Sequence, residues 1–458
     1  MKIILILPRA GIYRFGTGAF SRFIRYSPMT LPVLAGLVPQ NLDAEIEVYD
    51  EGVERIFPQR LKADIVGITG ITGASRRAYA YADYFRKKGM YVVIGGVHAT
   101  LMTEEAACHA DTVITGQAFE TWPQFLRDYS LGRPQKRYSP PPNTDFSHFK
   151  APVRDYMKRK AFVTINSTQA VFGCPNGCEF CVTPVVCKRY EMRPIKQVVD
   201  EISRMHGRYL TFVDPSPIEN VEYATALYTA MIPLRKRWTG LATTRLVKHR
   251  ELMDAMEKSG CRGLLIGFES LAQRTNDRIN KKFNTVADYY RLVKELHNRG
   301  IAIMGCFVHG LDGDTTECFD TTLEFVIKTK IDLPRFTVCT PFPGTPYFAR
   351  LKSDGRILTE NWALYDAQHV VFRPSNMTVE ELIAGHHRIW KLAYQARHMI
   401  TRLVANRCFL RYAVPANLGY KLYANNLRRF GPDVMDGDHA DGIPQMQLVN
   451  SSVPEEGN

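Results

Sequence analysis

Three cysteines fall close together in Cys174-Pro-Asn-Gly-Cys178-Glu-Phe-Cys181. The spacing puts three thiolates on one loop, and Gly173, Pro175 and Gly177 supply the turn chemistry that bends it. Thiolates are soft donors suited to iron–sulfur clusters or zinc. A structural zinc site takes four ligands, and Cys187, the nearest further thiol, has no Cys or His partner at a two-residue spacing. A cubane cluster held by only three protein thiolates keeps one iron open for a substrate or cofactor. The cluster is the leading reading and zinc its competitor. The remaining cysteines (108, 187, 261, 306, 318, 339, 408) show no ligand spacing and read as small buried hydrophobes, so no second cluster is expected.

The apolar pattern supplies the elements that must position this loop. Residues 160–350 repeat a strand–helix unit, with candidate strands at 161–165, 210–213, 240–243, 263–267, 302–308 and 335–339, and helices at 195–205, 251–258, 285–299 and 316–328. Six parallel units with right-handed crossovers make an open partial barrel. Chemistry on that architecture sits at the C-terminal rim of the strands, where the cysteine loop falls. Residues 1–131 also alternate strand and helix: apolar runs at 3–7, 65–68 and 91–94, with a helical stretch at 74–88. That pattern predicts a parallel sheet covered on both faces, with ligands at the carboxyl ends of its strands. Thr69-Gly70-Ile71-Thr72, Gly95-Gly96-Val97-His98 and Gly116-Gln117-Ala118-Phe119-Glu120 lie there. The glycines let a large ligand approach the backbone; the plain alternative is ordinary turn chemistry.

Composition bounds the rest. At roughly 150 residues per domain, 458 residues correspond to two to four domains, and 45% apolar with 23% charged residues is a globular composition. No apolar run approaches a membrane span, and Met1–Leu7 reads as a buried strand rather than a leader, so a cytoplasmic location with reduced thiols is expected. The net charge of +13 is concentrated: residues 382–430 hold nine Lys/Arg and no acid, whereas 431–458 hold six acids and no base and read as a disordered tail. Such local basicity, without a recognisable RNA-binding domain, argues against a nucleic-acid partner. Residues 132–150, with four prolines, read as a linker. Thr378 and Glu381 form a capping box that starts a basic amphipathic helix. Its apolar face carries Ile389, Leu392, Ala393, Ala396, Met399, Ile400 and Leu403; its polar face carries Arg388, Lys391, Gln395, His398 and Arg402. The plain reading of its basic face is solvation; the sharper one is peripheral contact with an anionic membrane, at the inner face, through residues 382–430.

Cys-x3-Cys-x-aromatic-Cys after the first barrel strand resembles the radical S-adenosylmethionine (radical SAM) superfamily. Phe212-Val213-Asp214-Pro215, Gly267-Phe268-Glu269-Ser270, Gly305–Thr315 and Thr340-Pro-Phe-Pro343-Gly344-Thr345-Pro resemble its later strand motifs. Residues 43–122 resemble the cobalamin-binding domain of one branch, through Tyr49-Asp50-Glu51, Ile65–Thr69, Gly95–Thr100 and Gly116–Trp122. Asn361–Pro374 resembles a segment that follows the barrel in that branch.

The resemblance implies an α/β chain: a doubly wound, Rossmann-like cobalamin-binding domain (1–131), the linker, a partial (β/α)6 barrel (151–350) and a mainly helical region (351–430). It implies a [4Fe-4S] cluster on Cys174, Cys178 and Cys181. SAM contacts fall to Phe180, Asp214, Pro215, Glu269, Ser270, Pro343 and Gly344. Cobalamin contacts fall to Thr69, Thr72, Gly95, Gly96, His98, Gly116 and Glu120. The stretch after the first strand, Leu7-Pro-Arg-Ala-Gly-Ile12, holds no cobalt-ligating His, and His98 does not match that motif, so His98 reads as hydrogen-bonding or structural and the cobalamin as base-displaced. The implied reaction is methyl transfer to an unactivated carbon of a small-molecule, lipid or tetrapyrrole-type substrate, with an external one-electron donor. Its rivals are a radical oxidoreductase or cyclase and a non-catalytic cobalamin- or zinc-binding regulator.

Overall fold

Strand β1 (Lys2–Leu7) is apolar on both faces and is buried on both. Ile3 and Leu5 pack with Leu31, Trp122 and Phe125, while Ile4 and Ile6 pack with Val66, Tyr81 and Phe85. In this computed structural model, which describes residues 1–10, 27–141, 146 and 149–430, β1 is an inner strand of a six-stranded sheet. Its partners are β2 (Glu45–Asp50), β3 (Ile65–Thr69), β4 (Tyr91–Gly95), β5 (Thr112–Ile114) and β6 (Arg137–Tyr138), in the order β2-β1-β3-β4-β5-β6, every pair parallel. Helices α1 (Thr30–Gly36), α2 (Ser75–Lys87), α3 (Val97–Leu101), α4 (Thr103–His109) and α5 (Thr121–Ser130) join the strands. The chain reverses direction between β1 and β3, the switch point at which doubly wound sheets bind ligands. The charged alternation of β2 hides it from an apolar-run criterion, and β6 draws residues 137–138 of the expected linker into the sheet.

The second sheet is also six-stranded and parallel. It comprises β7 (Ser167–Thr168), β10 (Tyr209–Phe212), β11 (Arg237–Ala242), β12 (Cys261–Glu269), β13 (Ala302–His309) and β14 (Leu333–Val338), each beside the next. Between β7 and β10, the short strands β8 (Val171–Phe172) and β9 (Glu191–Met192) pair antiparallel. Helices α6 (Thr183–Val186), α7 (Ile195–Arg204), α8 (Val221–Met231), α9 (Arg250–Lys258), α10 (Gln273–Arg278), α11 (Tyr289–Asn298), α12 (Cys318–Thr329) and α13 (Pro346–Ser353) follow. Alternate residues of β13 and β14 are fully and half-buried, so Ile303, Phe307 and Phe336 join the helix-packed core while Met304, Cys306 and Val308 sit on the less covered face.

One expected strand moves. The first barrel strand is 167–168 rather than 161–165. Arg159–Ala161 form a 3₁₀ turn, the Thr164 hydroxyl and Asn166 amide donate to the Tyr209 carbonyl, and Asn166 also donates to His206. Side chains take the place of the ladder over these residues.

The C-terminal region covers the outer side of β14. It contains α14 (Val379–Ala393), α15 (Ala396–Asn406) and α16 (Leu410–Phe430). Trp390 donates to the Phe336 carbonyl at 3.1 Å and Tyr394 to that of Pro334 at 2.8 Å. The Thr378–Glu381 capping box is present. The single amphipathic helix expected from Thr378 to Leu403 is broken, because Gln395 is extended and restarts the helical phase. The expected faces therefore exchange members: Arg402 is buried, donating to the Ala393 carbonyl, and Ile400 is 60% exposed. The expected acidic tail lies outside the described residues.

A buried ion-pair hub ties α7 to the strands that frame the cysteine loop. Glu201 accepts from Arg193 at 2.7 Å, from Thr168 at 3.0 Å and from Arg154, and the Arg193 side chain is 0% exposed. Glu201→Ala strands a buried guanidinium and should cost about 3–5 kcal/mol. Chemical denaturation of the variant beside the parent chain checks this.

Candidate active site

The β8–β9 pair closes a loop, residues 173–190, that carries all three cysteines. Gly173 opens it at φ +72°, where a Cβ would collide with the Arg189 carbonyl oxygen, so only glycine lets the two ends meet. Asp214, at the end of β10, accepts from the backbone N–H groups of Ala170 (2.8 Å) and Val171 (2.5 Å) and fixes the chain entering the loop. The tip is held from the far side of the barrel. Asn280 donates to the Gly177 carbonyl (2.8 Å), the Glu179 N–H to Ile279, the Tyr347 N–H to Glu179 (both 3.1 Å), and Arg350 pairs with the Glu179 carboxylate at 2.6 Å. Elements following β12 and β14 thus staple a loop that follows β7.

The three thiols are half-buried. Burial pushes Cys178 up to about 12, with the Lys281 charge opposing, and raises Cys181 against hydrogen bonds from Thr183. Metal coordination displaces such protons outright. Among the described residues no three His, Cys, Asp or Glu side chains gather around a single ion's position.

The other barrel residues expected at the site ring the same rim. Phe180 packs, half-buried, on the main core. Glu269 ends β12 at φ +61° and forms a buried ion pair with Lys281. Burial works against the Lys281 ammonium, but Glu269 and the neighbouring thiols outweigh it and hold its pKa above the ordinary range. The Ser270 hydroxyl accepts from the Ala272 N–H, turning the chain after Glu269. Asp214 is fully buried and Pro215 half-buried beside it. Pro343 is buried, and Gly344, at φ +76°, faces Leu101 of α3, which a Cβ would approach to 3.1 Å.

That contact brings the first sheet's carboxyl edge to the barrel rim. Helix α3 packs on α6, which directly follows Cys181. Gln117 donates to the Cys187 sulfur at 3.4 Å, and Phe119 packs on Phe172 with ring centroids 5.2 Å apart. Trp362 donates to Glu105 at 2.9 Å. Along the edge, Gly96 has φ +94°, and a Cβ there would fall 2.6 Å from the Thr69 hydroxyl. The Thr100 hydroxyl donates to Gly96 and accepts from the Gly116 N–H at 2.8 Å, locking the turns after β4 and β5 together. The Thr72 hydroxyl is buried with no hydrogen-bond partner among the described residues. His98 points to Glu105 at 3.3 Å and is buried, which holds its pKa below the ordinary range. Its Nδ1 is buried with no hydrogen-bond partner among the described residues. Glu120 is exposed at the start of α5, away from these turns' hydrogen bonds.

Sequence reasoning missed Lys281, Asn280 and Arg350. Lys281 is buried and its neighbour Lys282 exposed, a difference made by the turn at Asn280 (φ +55°) and by no feature of the sequence. Asn280 and Arg350 act on the loop from 103 and 171 residues away.

A six-stranded parallel barrel with three thiols on the loop after its first strand, facing a second parallel sheet, defines a cluster-bearing class of α/β enzyme. The family profile of the radical SAM superfamily matches residues 169–326. The chain is 31% identical over 395 residues to bacteriochlorophyllide d C-12(1)-methyltransferase of Chlorobaculum tepidum, covering 82% of this chain and 84% of that protein. It is 30% identical over 370 residues to bacteriochlorophyllide d C-8(2)-methyltransferase of the same organism, covering 75% and 80%. The fold is similar to that of the radical SAM methyltransferase TsrM from Kitasatospora setae, solved with cobalamin and a [4Fe-4S] cluster (TM-score 0.61, 18% identity, 77% of this chain and 78% of that one). The chain belongs to the radical SAM superfamily and is an enzyme of that superfamily, whose cofactors are a [4Fe-4S] cluster and SAM.

Asp214 gives this site a pH signature. Burial pushes its pKa from the usual 3.8 up to about 7, against the pull of the Ala170 and Val171 N–H groups. The folded chain then binds this proton more tightly than the unfolded chain. The stabilising contribution is full below about pH 4 and is lost as pH rises through about 7. Asp214→Asn keeps the carbonyl acceptor without the charge. The parent's stability relative to this variant should fall between pH 4 and 7; a flat difference in denaturation midpoints would contradict the assignment.

Proposed function

We propose that this chain is a cobalamin-dependent radical SAM C-methyltransferase acting on an unactivated carbon of a small-molecule substrate of lipid or tetrapyrrole type. The observation that carries the reading is the juxtaposition of the cysteine loop and the Gly95–Gly96 edge, with Leu101 against Gly344. The tetrapyrrole reading is supported by the bacteriochlorophyllide methyltransferases, which the chain matches over most of its length.

When bound, the cluster supplies the electron that cleaves SAM to a hydrogen-abstracting radical, and cobalamin supplies the methyl group. The chain's own residues bind and orient. Cys174, Cys178 and Cys181 would hold the cluster and so place it where SAM binds. Phe180, Pro343 and Gly344 wall the adenine side. Glu269, held by Lys281, and Ser270 meet the polar part of SAM. Asp214 and Pro215 act through the loop, where Asp214 Oδ1 holds the Ala170 and Val171 N–H groups of the entering chain. Thr69, Thr72, Gly95, Gly96 and Gly116 would form the floor for cobalamin, to which the buried Thr72 hydroxyl, without a hydrogen-bond partner among the described residues, would donate. His98 would support that floor through Glu105. Glu120 reaches only the rim of this surface. The electron donor is external, the chain works in the cytoplasm, and no nucleic acid is a partner.

Two measurements test the proposal. Cys178→Ala, reconstituted anaerobically, should lose the visible charge-transfer absorbance and SAM cleavage; surviving cleavage would remove these thiolates from their role. The parent enzyme, given cobalamin, a reductant, a bacteriochlorophyllide-type substrate and methyl-deuterated SAM, should yield product carrying the labelled methyl. Oxidised, unlabelled product would support the cyclase reading instead.

A further inference from the structure

Helices α15 and α16 are amphipathic in the unusual sense. The face of α16 turned to the protein carries Ala413, Ala416, Ala424 and Leu427, Tyr420 and Tyr423 against Trp390, and Asn417, whose amide donates to the Asp332 carbonyl at 3.0 Å. The face turned away carries Leu410, Val414, Leu418 and Leu422, one on each turn and each 39–44% exposed. On α15, Ile400 and Val404 are 60% and 61% exposed. A stripe of large aliphatics this long is uncommon on a monomeric surface and marks an interaction site.

The charges beside the stripe select what covers it. Arg397, Arg407 and Arg411 are exposed and Lys421 half-buried, and residues 382–430 contain no Asp or Glu to neutralise them. A second copy of the chain packing this face on itself would oppose cation to cation, because a two-fold contact uses the same patch twice. An anionic lipid surface meets both halves of the pattern: aliphatics enter the acyl boundary and cations meet the headgroups. No helix among the described residues is long and apolar enough to cross a membrane, so α16 lies along the surface. We propose that the outer face of α15–α16 docks the enzyme peripherally on an anionic membrane. This inference is independent of the methyl-transfer reading, since it uses none of the site residues.

The test is flotation of the full chain with vesicles of phosphatidylglycerol and phosphatidylcholine, and with phosphatidylcholine alone. The parent chain should float with the anionic vesicles and stay behind with the neutral ones. Val414→Asp with Leu418→Asp should abolish flotation, and Arg407→Glu with Arg411→Glu should weaken it by about tenfold or more. All four positions are exposed, so both variants should keep the parent's circular dichroism and melting temperature. The inference is overturned if the parent floats with neither vesicle, if folded variants float as the parent does, or if the parent is a dimer that Val414→Asp with Leu418→Asp dissociates without any vesicle binding.

Discussion

Three thiols can share one iron cage only while the loop between them keeps its shape, and this loop is too short and too rich in glycine and proline to do so unaided. Its shape is imposed from outside. Asp214 grips the entering backbone, Gly173 lets the two ends meet, and Asn280, Tyr347 and Arg350 hold the tip. These anchors follow different strands, so the loop is correct only when the whole barrel is formed. Leaving such a carboxylate and guanidinium set partly unmet in a half-folded barrel is costly, which couples the site to global folding.

The same economy governs the approach of the two sheets. Contacts between them are made by turns and short helices at their carboxyl ends: Leu101 on Gly344, Gln117 on Cys187, Phe119 on Phe172 and Trp362 on Glu105. They mix aromatic packing, an aliphatic contact at a glycine and hydrogen bonds. His98 illustrates the rule. Its sequence context reads as hydrogen-bonding or structural, and in the fold it is the buried partner of a carboxylate that also receives Trp362.

Much of this was legible from residue patterns, because buried parallel strands are long apolar runs and a cluster loop has a fixed spacing. Five of the six barrel strands and the capping box at Thr378 were read within a few residues. What was illegible depended on partners distant in sequence. β2 is a strand through pairing with β1 despite its charges, and β7 is displaced by side-chain bonds at Thr164 and Asn166. The helix break at Gln395 swapped Arg402 and Ile400 between faces, and periodicity cannot survive a reset of phase. Lys281 and Lys282 are chemically identical neighbours that only the fold distinguishes.

The account stands on an iron corner that the protein leaves without a ligand. Electron paramagnetic resonance of the anaerobically reconstituted, reduced enzyme reads that corner directly. Addition of SAM should shift the g-values of the reduced cluster. A cluster signal that SAM leaves unchanged, or no cluster signal at all, would contradict it.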